Sequence, residues 1–203
     1  MPTFDADAAQ AYGRELLTSE LIRLRPLEDR DLAHLERWWE DPEWQVFQGT
    51  TVRPRPDGAS REMFRGWSAN DSGGGAGFSV ETRDTGEFVG HVALWGATLP
   101  ARAGMLGIIV GPSYVDQGYG TEAVRIASRY AFRAMGLHRL ELRVLAFNGR
   151  ALASYGKAGF QQEGVRRQAV FVDGAFRDEV VMALLRDEWE AQEAARPAPA
   201  EPA

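Results

Sequence analysis

The chain of 203 residues contains no cysteine. Disulfides, thiolate nucleophiles and Cys-ligated metals are therefore excluded. Lysine is nearly absent as well: Lys157 is the single one, and arginine carries the rest of the positive charge. No apolar run approaches the length of a membrane span, so no membrane partner is expected. The opening Met-Pro-Thr-Phe-Asp-Ala-Asp has no basic segment followed by an apolar one. No secretory signal is read there, and a cytoplasmic location is the expectation. An excess of positive charge is also missing. The formal net charge of −6 argues against nucleic acid as the main partner and suits a cationic one. The run Gly73-Gly74-Gly75-Ala76-Gly77 lacks the Lys-Ser/Thr ending of a phosphate-binding P-loop and reads as a connection.

What is present is ordinary for a globular protein: 44% hydrophobic and 26% charged residues. The length fits one domain with a substantial core. We place that domain at residues 18–189. Residues 1–17 lack periodicity and read as a loose N-terminal segment. Residues 190–203 turn to Glu, Ala and Pro and read as a disordered tail. Leu21, Ile22 and Leu24 suggest a first strand ending near Pro26. Asp29 and Asp31 open a helix carrying Leu32, Leu35, Trp38 and Trp39 on one stripe, stopped at Asp41-Pro42. Glu43 to Gly58 reads as a loop, and Ser60 to Trp67 as a second short helix. Three strands follow, over Phe78 to Glu81, Phe88 to Trp95 and Ala103 to Val110. A helix then runs to about Met135 and stops at Gly136, with Ala123, Ala127, Tyr130, Ala131 and Ala134 toward the core. Leu140, Leu142 and Val144 alternate with charged residues in another strand. Asn148 caps a short helix ending at Gly159, and Asp173-Gly174 joins a terminal hairpin. The order predicts an α/β (α+β) fold: a mixed, mostly antiparallel central sheet of about seven strands with helices on both faces.

The most informative stretch is Met105 to Ala123. An apolar strand, Leu106 to Val110, enters a loop through Gln117, Gly118, Tyr119, Gly120 and Thr121 that opens the long helix. Glycines allow close approach of backbone N–H groups, and a helix start adds unpaired donors and partial positive charge. The arrangement suits a phosphate or pyrophosphate, and so a nucleotide-containing ligand.

At this point the chain resembles the GNAT superfamily of acyl-CoA-dependent N-acetyltransferases. Four features carry the likeness: the strand, glycine loop and helix; Asn148 to Phe160, similar to the family's Asn-to-Tyr helix closing on Gly-Phe; Asp173 to Asp178 with the strand Val180 to Leu185; and Leu21 to Asp31. The subgroup it resembles is the one containing ribosomal-protein N-terminal and spermidine N-acetyltransferases. The resemblance implies acetyl-CoA as donor and a primary amine as acceptor, with no metal; a homodimer is left open. It implies backbone contacts from Ile108, Ile109 and Val110 to the pantetheine arm. It implies pyrophosphate binding by Val115, Asp116, Gln117, Gly118, Tyr119, Gly120 and Thr121. Asn148 would bond the pantetheine, and Tyr155 would stand near the thioester sulfur as general acid. Asn148 and Tyr155 are seven residues apart, about two helical turns, so both can face one ligand.

The chain departs from the family pattern at two places. Val115 stands where the loop often begins with Arg or Gln. Met105 stands where many relatives carry a glutamate base. Water, an acceptor already deprotonated, His91 or Glu81 then remain as routes for the proton, with Glu81 expected to face water and Asp116 to point to solvent. Two rival functions follow from the same residues. A non-catalytic CoA-binding module is suggested by Met105, and a dinucleotide-binding oxidoreductase by Gly118-x-Gly120-x-x-Ala123. The acceptor amine is not named by the sequence. Protein N-termini, lysines, polyamines and other small amines all fit.

Overall fold

The structure, a computed structural model, describes residues 4–49 and 52–196. In chain order the elements are α1 (Ala6–Glu15), β1 (Ile22–Arg25), α2 (Asp29–Glu40), α3 (Pro42–Gly49), α4 (Ala59–Trp67), β2 (Ala76–Thr82), β3 (Phe88–Thr98) and β4 (Ala103–Val110). A short 3-10 turn, Pro112–Tyr114, then precedes α5 (Tyr119–Arg133), β5 (Arg139–Leu145), α6 (Gly149–Lys157), β6 (Gln161–Val172), β7 (Ala175–Leu185) and α7 (Arg186–Ala195). The strands form one seven-stranded sheet in the order β1-β2-β3-β4-β5-β7-β6. Only the β4–β5 pair is parallel. The α/β fold class and the mixed, mostly antiparallel sheet expected from the sequence are both found. Among the described residues no helix is long and apolar enough to cross a membrane.

Alternation along the strands sorts side chains onto two faces. Leu106 of β4 joins Ala123, Val124, Ile126, Ala127 and Phe132 of α5 in the larger core. Ile109, one step out of phase, packs on the opposite face with Leu32, Leu35 and Trp38 of α2 and Phe64 of α4. Ala134, expected in the core, lies beyond α5 and is exposed.

Three expectations about element boundaries are corrected. Residues Ala6–Glu15, read as loose, form α1. Asp5 caps it by accepting from the Ala8 N–H at 2.9 Å, and the Arg133 guanidinium lies 4.9 Å from the Tyr12 ring. The helix buries no side chain, so hydrophobic periodicity could not announce it. Pro42 does not end helical structure but starts α3, inside the expected loop. The Asp41 carboxylate accepts from the Glu43 N–H at 2.9 Å, and proline is well suited to a first helical position. Residues 190–195, read as the start of a disordered tail, belong to α7, whose Trp189 packs on Phe132 at 5.3 Å between ring centroids. Residues 197–203 of that tail lie outside the described residues. The Asp173-Gly174 hairpin is found as expected, with both φ values positive, at 50° and 69°.

A buried ionic cluster fastens the first strand to the helix that follows. Arg25 forks onto Asp31 at 2.7 and 2.9 Å and reaches Glu81 at 2.5 Å, while Ser79 Oγ donates to Asp31 at 2.7 Å. Asp31 and Glu81 are each 1% exposed, and the Arg25 guanidinium holds both carboxylates below their ordinary range. Breaking one partner of such a network leaves the other charged and buried, a loss of about 3–5 kcal/mol.

Candidate active site

The parallel pairing of β4 with β5 lasts only from Ala103↔Arg139 to Met105↔Glu141. Beyond Met105 the two strands part, while β4 stays paired with β3 as far as Val110. The Gly111 N–H donates to Val89 O on the β3 side at 2.9 Å. Backbone direction alternates along a strand, so the N–H and C=O groups of Ile108 and Val110 turn to the open side. An open cleft of about 800 Å³ fills the gap.

At the end of β4 the chain enters the glycine loop. Asp116 and Gly118 take positive φ, at 62° and 87°, which coils the backbone before α5. Among the described residues, the N–H groups of Gly118 through Thr121 donate to no backbone carbonyl; the first to do so is that of Glu122, to Gly118 O at 3.0 Å. A run of free donors at the head of a fifteen-residue helix is an anion site in both charge and hydrogen-bonding capacity. A Cβ at Gly120 would come within 3.3 Å of Val110 Cγ2, so the strand and the helix start already touch there.

The opposite wall comes from β5 and α6. Asn148 caps α6 through Oδ1, which accepts from the Ala151 N–H at 3.1 Å. Its side chain lines the cleft, as do those of Ser154 and Tyr155. Thr121 and Ser154 share a hydroxyl–hydroxyl bond of 2.8 Å that ties α5 to α6 across the base of the gap. Tyr155 is 9% exposed, and burial pushes its phenol up to about 12. At neutral pH it therefore carries its proton and can donate it, or a hydrogen bond, into the cleft.

Of the residues predicted from sequence, Ile108, Val110, Val115, Asp116, Gly118, Gly120, Thr121, Asn148 and Tyr155 all line this cleft. Asp116 is exposed at its mouth. Ile109, Gln117, Tyr119 and His91 do not line it. Ile109 faces the other side of the sheet, Gln117 folds back onto Ser113 O at 2.9 Å, and Tyr119 packs against the core. Arg143, Arg150 and Lys157 also border the cleft and add positive charge; the sequence reading did not single them out for it. Isolated basic residues on two different elements, β5 and α6, leave no linear signal.

A second pocket of about 580 Å³ lies on the far face of β4. Its floor includes His91, Ala93, Gly107 and Ile109, and its wall includes Phe64 and Trp67 of α4. The two pockets share Gln48, Trp95, Gly107 and Ile108. The Trp95 ring lies over Gly107, where an added Cβ would meet it at 3.0 Å. The cavities thus adjoin at Gly107 and Ile108, on the splayed strand.

His91 belongs to this second pocket. It is 2% exposed, its Nε2 is 2.7 Å from Ser68 Oγ, and its ring meets Phe64 edge-on. Burial lowers its pKa to about 4 against a smaller opposing pull from Asp31, so at neutral pH the ring is uncharged. Glu81, expected to face water, is buried instead in the ion cluster with Arg23 and Arg25 and lines neither pocket. Met105 lines the donor-side cleft at the end of the parallel pairing and brings no titratable group. Among the described residues no cluster of three or more His, Asp or Glu side chains is arranged to hold a metal ion.

Comparison with known proteins agrees with this architecture. Residues 22–161 match the family model described as Acetyltransferase (GNAT) domain. The chain is 32% identical over 114 residues to the Probable N-acetyltransferase YjcK of Bacillus subtilis, a stretch covering 56% of this chain and 63% of that protein, somewhat under two thirds of its length. It is 26% identical over 181 residues to the Spermidine N(1)-acetyltransferase of Escherichia coli, covering 84% of this chain and 89% of that one. Among solved structures, the spermidine N-acetyltransferase of Vibrio cholerae in complex with CoA and spermine shares the fold. Its TM-score is 0.73 at 23% identity, over 83% of this chain and 98% of that one. The chain belongs to the GNAT acetyltransferase family, the N-acetyltransferases that move an acetyl group from acetyl-CoA to an amine.

Proposed function

We propose that the splayed cleft binds acetyl-CoA and that the pocket across β4 presents a primary amine to its thioester. The observation that carries this is the meeting of the two cavities at Gly107 and Ile108, beside backbone groups left free by the parting of β4 from β5. The loop from Val115 to Thr121, with its N–H groups unpaired from Gly118 on, receives the pyrophosphate. Arg143, Arg150 and Lys157 offset the remaining phosphate charge, and Asn148 keeps its amide N–H free for the pantetheine arm. The amine lone pair attacks the thioester carbon, and backbone N–H groups of the open β4 edge stabilise the negative oxygen that forms. The C–S bond then breaks. The departing thiolate takes a proton from Tyr155, the nitrogen loses one to water, and solvent returns a proton to the Tyr155 phenolate. His91, uncharged and bonded to Ser68, is too weak a base at neutral pH to take a large share of that proton. A mute CoA-binding module would need neither a protonated tyrosine in the cleft nor a second cavity adjoining it. A dinucleotide oxidoreductase would place its glycine loop in a parallel sheet with an acidic residue ending the next strand, whereas here the other strand pairs are antiparallel and Glu141 lies inside β5.

The test is thiol release from acetyl-CoA over a panel of amines, with Tyr155→Phe as the variant. Tyr155→Phe is expected to bind acetyl-CoA as the parent does and to lose about a hundredfold in kcat. Equal kcat for the two proteins would assign Tyr155 to packing.

A further inference from the structure

The second pocket carries information about the acceptor, and the following rests on the reading of the cleft just given. Its walls are aromatic and aliphatic: Trp39, Phe64 and Trp67 meet edge-to-face at 5.2–5.5 Å between ring centroids, with Met63, Ala93 and Ile109 completing the apolar surface. Among the described residues that line it, none is a carboxylate. Its one charged side chain is Arg55, and His91 stays neutral. The remaining polar groups are the Gln48 amide and the indole N–H groups, of which that of Trp39 is buried away from the cavity. Arg55 carries only donors, so it meets an acceptor atom or an anion better than a cation.

A polyamine needs the reverse arrangement. Each ammonium beyond the reacting one must be met by a carboxylate or lose its hydration without compensation. We infer that the amine taken by this pocket is a monoamine on an aromatic or bulky apolar body, with no second positive charge. Aromatic faces can attract a cation, but here Arg55 stands beside them and opposes a second one.

The experiment compares kcat/KM for phenethylamine and spermidine with acetyl-CoA as donor, in the parent protein and in Trp67→Ala and Arg55→Glu. Phenethylamine is expected to exceed spermidine by about tenfold or more. Trp67→Ala should lower kcat/KM for phenethylamine about tenfold, chiefly through KM, because apolar contact area is lost. Arg55 is exposed, so Arg55→Glu should shift the ratio toward spermidine by only about threefold. Acetyl-CoA affinity, measured by calorimetry, should be unchanged in both variants. Spermidine equal to or better than phenethylamine in the parent overturns the inference while leaving amine acetylation standing, as does a Trp67→Ala variant with unaltered KM. Binding of acetyl-CoA with no thiol release from any amine overturns the acetyl-transfer reading itself, and the acceptor assignment with it.

Discussion

At the scale of single residues, two buried titratable side chains behave oppositely, and both were singled out from sequence for one reaction. Tyr155 keeps its proton because a phenolate would be desolvated in the cleft wall. His91 refuses a proton because an imidazolium would be desolvated between Ser68 and Phe64. The consequence for His91 is a stability change with pH. Its folded pKa of about 4 lies below the ordinary value of 6.5, so the unfolded chain binds the extra proton first. The stability is complete above pH 6.5 and is lost as the pH falls from there toward 4. Between pH 7 and pH 5 the loss is about 2 kcal/mol, which urea titrations at the two pH values can read. His91→Gln should remove most of that difference. An equal pH 7 to pH 5 loss in variant and parent would assign it to other groups. Which side chain stands in which cavity was beyond sequence reasoning: Ile108 and Ile109 are neighbours in the chain, yet Ile108 borders both cavities and Ile109 only the second.

At the scale of elements, the glycine loop was legible because several local signals coincide: an apolar strand, closely spaced glycines and a helix start. The structure adds the reason for Gly120. Its missing side chain lets the first turn of α5 approach Val110, and the same turn holds N–H groups without acceptors. Gly120→Val should therefore push the helix start off the strand and cost about tenfold or more in acetyl-CoA affinity, read by calorimetry. Gly13→Ala, on α1 where an added Cβ meets nothing, is the control and should bind as the parent does. Unchanged affinity in Gly120→Val would remove this loop from the donor site. The acceptor wall was far less legible. Trp38 and Trp39 sit side by side on a helix stripe, yet Trp38 packs in the smaller core against Phe88, with rings stacked at 5.4 Å, whereas Trp39 borders the pocket. Periodicity reports that a face is buried, not whether a core or a cavity covers it. The same limit hid α1 and the last turns of α7, helices held by caps and a few arginine or tryptophan contacts rather than by a broad apolar stripe.

At the scale of the whole molecule, one topological fact organises the chemistry. A single parallel pair in an otherwise antiparallel sheet forces the chain from β4 through the loop and α5 before it returns as β5, and the pair comes apart after three residues. On the reading proposed above, the gap would admit one reactant and the opposite face of β4 would border the space for the other. Among the described residues that border both cavities, none is a carboxylate. Met105 takes the place where such a group was expected, Glu81 is committed to Arg25, and the carboxylates that do line the cleft are Asp116 at its mouth and Glu179 on β7. On the proposed reading, proton removal from the amine falls to solvent, and the protein would act on the fraction of acceptor that is already neutral. The rate at fixed, subsaturating amine should rise with pH up to the acceptor's own pKa. A peptide α-amine and a lysine-type amine differ by about 2.5 units, so their profiles should be displaced by about that much. The measurement is kcat/KM against pH for an unblocked dipeptide amide and for Nα-acetyl-lysine amide. Coincident profiles with a limb near pH 5 would identify a carboxylate base, with Asp116 and Glu179 as the residues to replace. A shared limb near pH 4 that disappears in His91→Gln would identify His91.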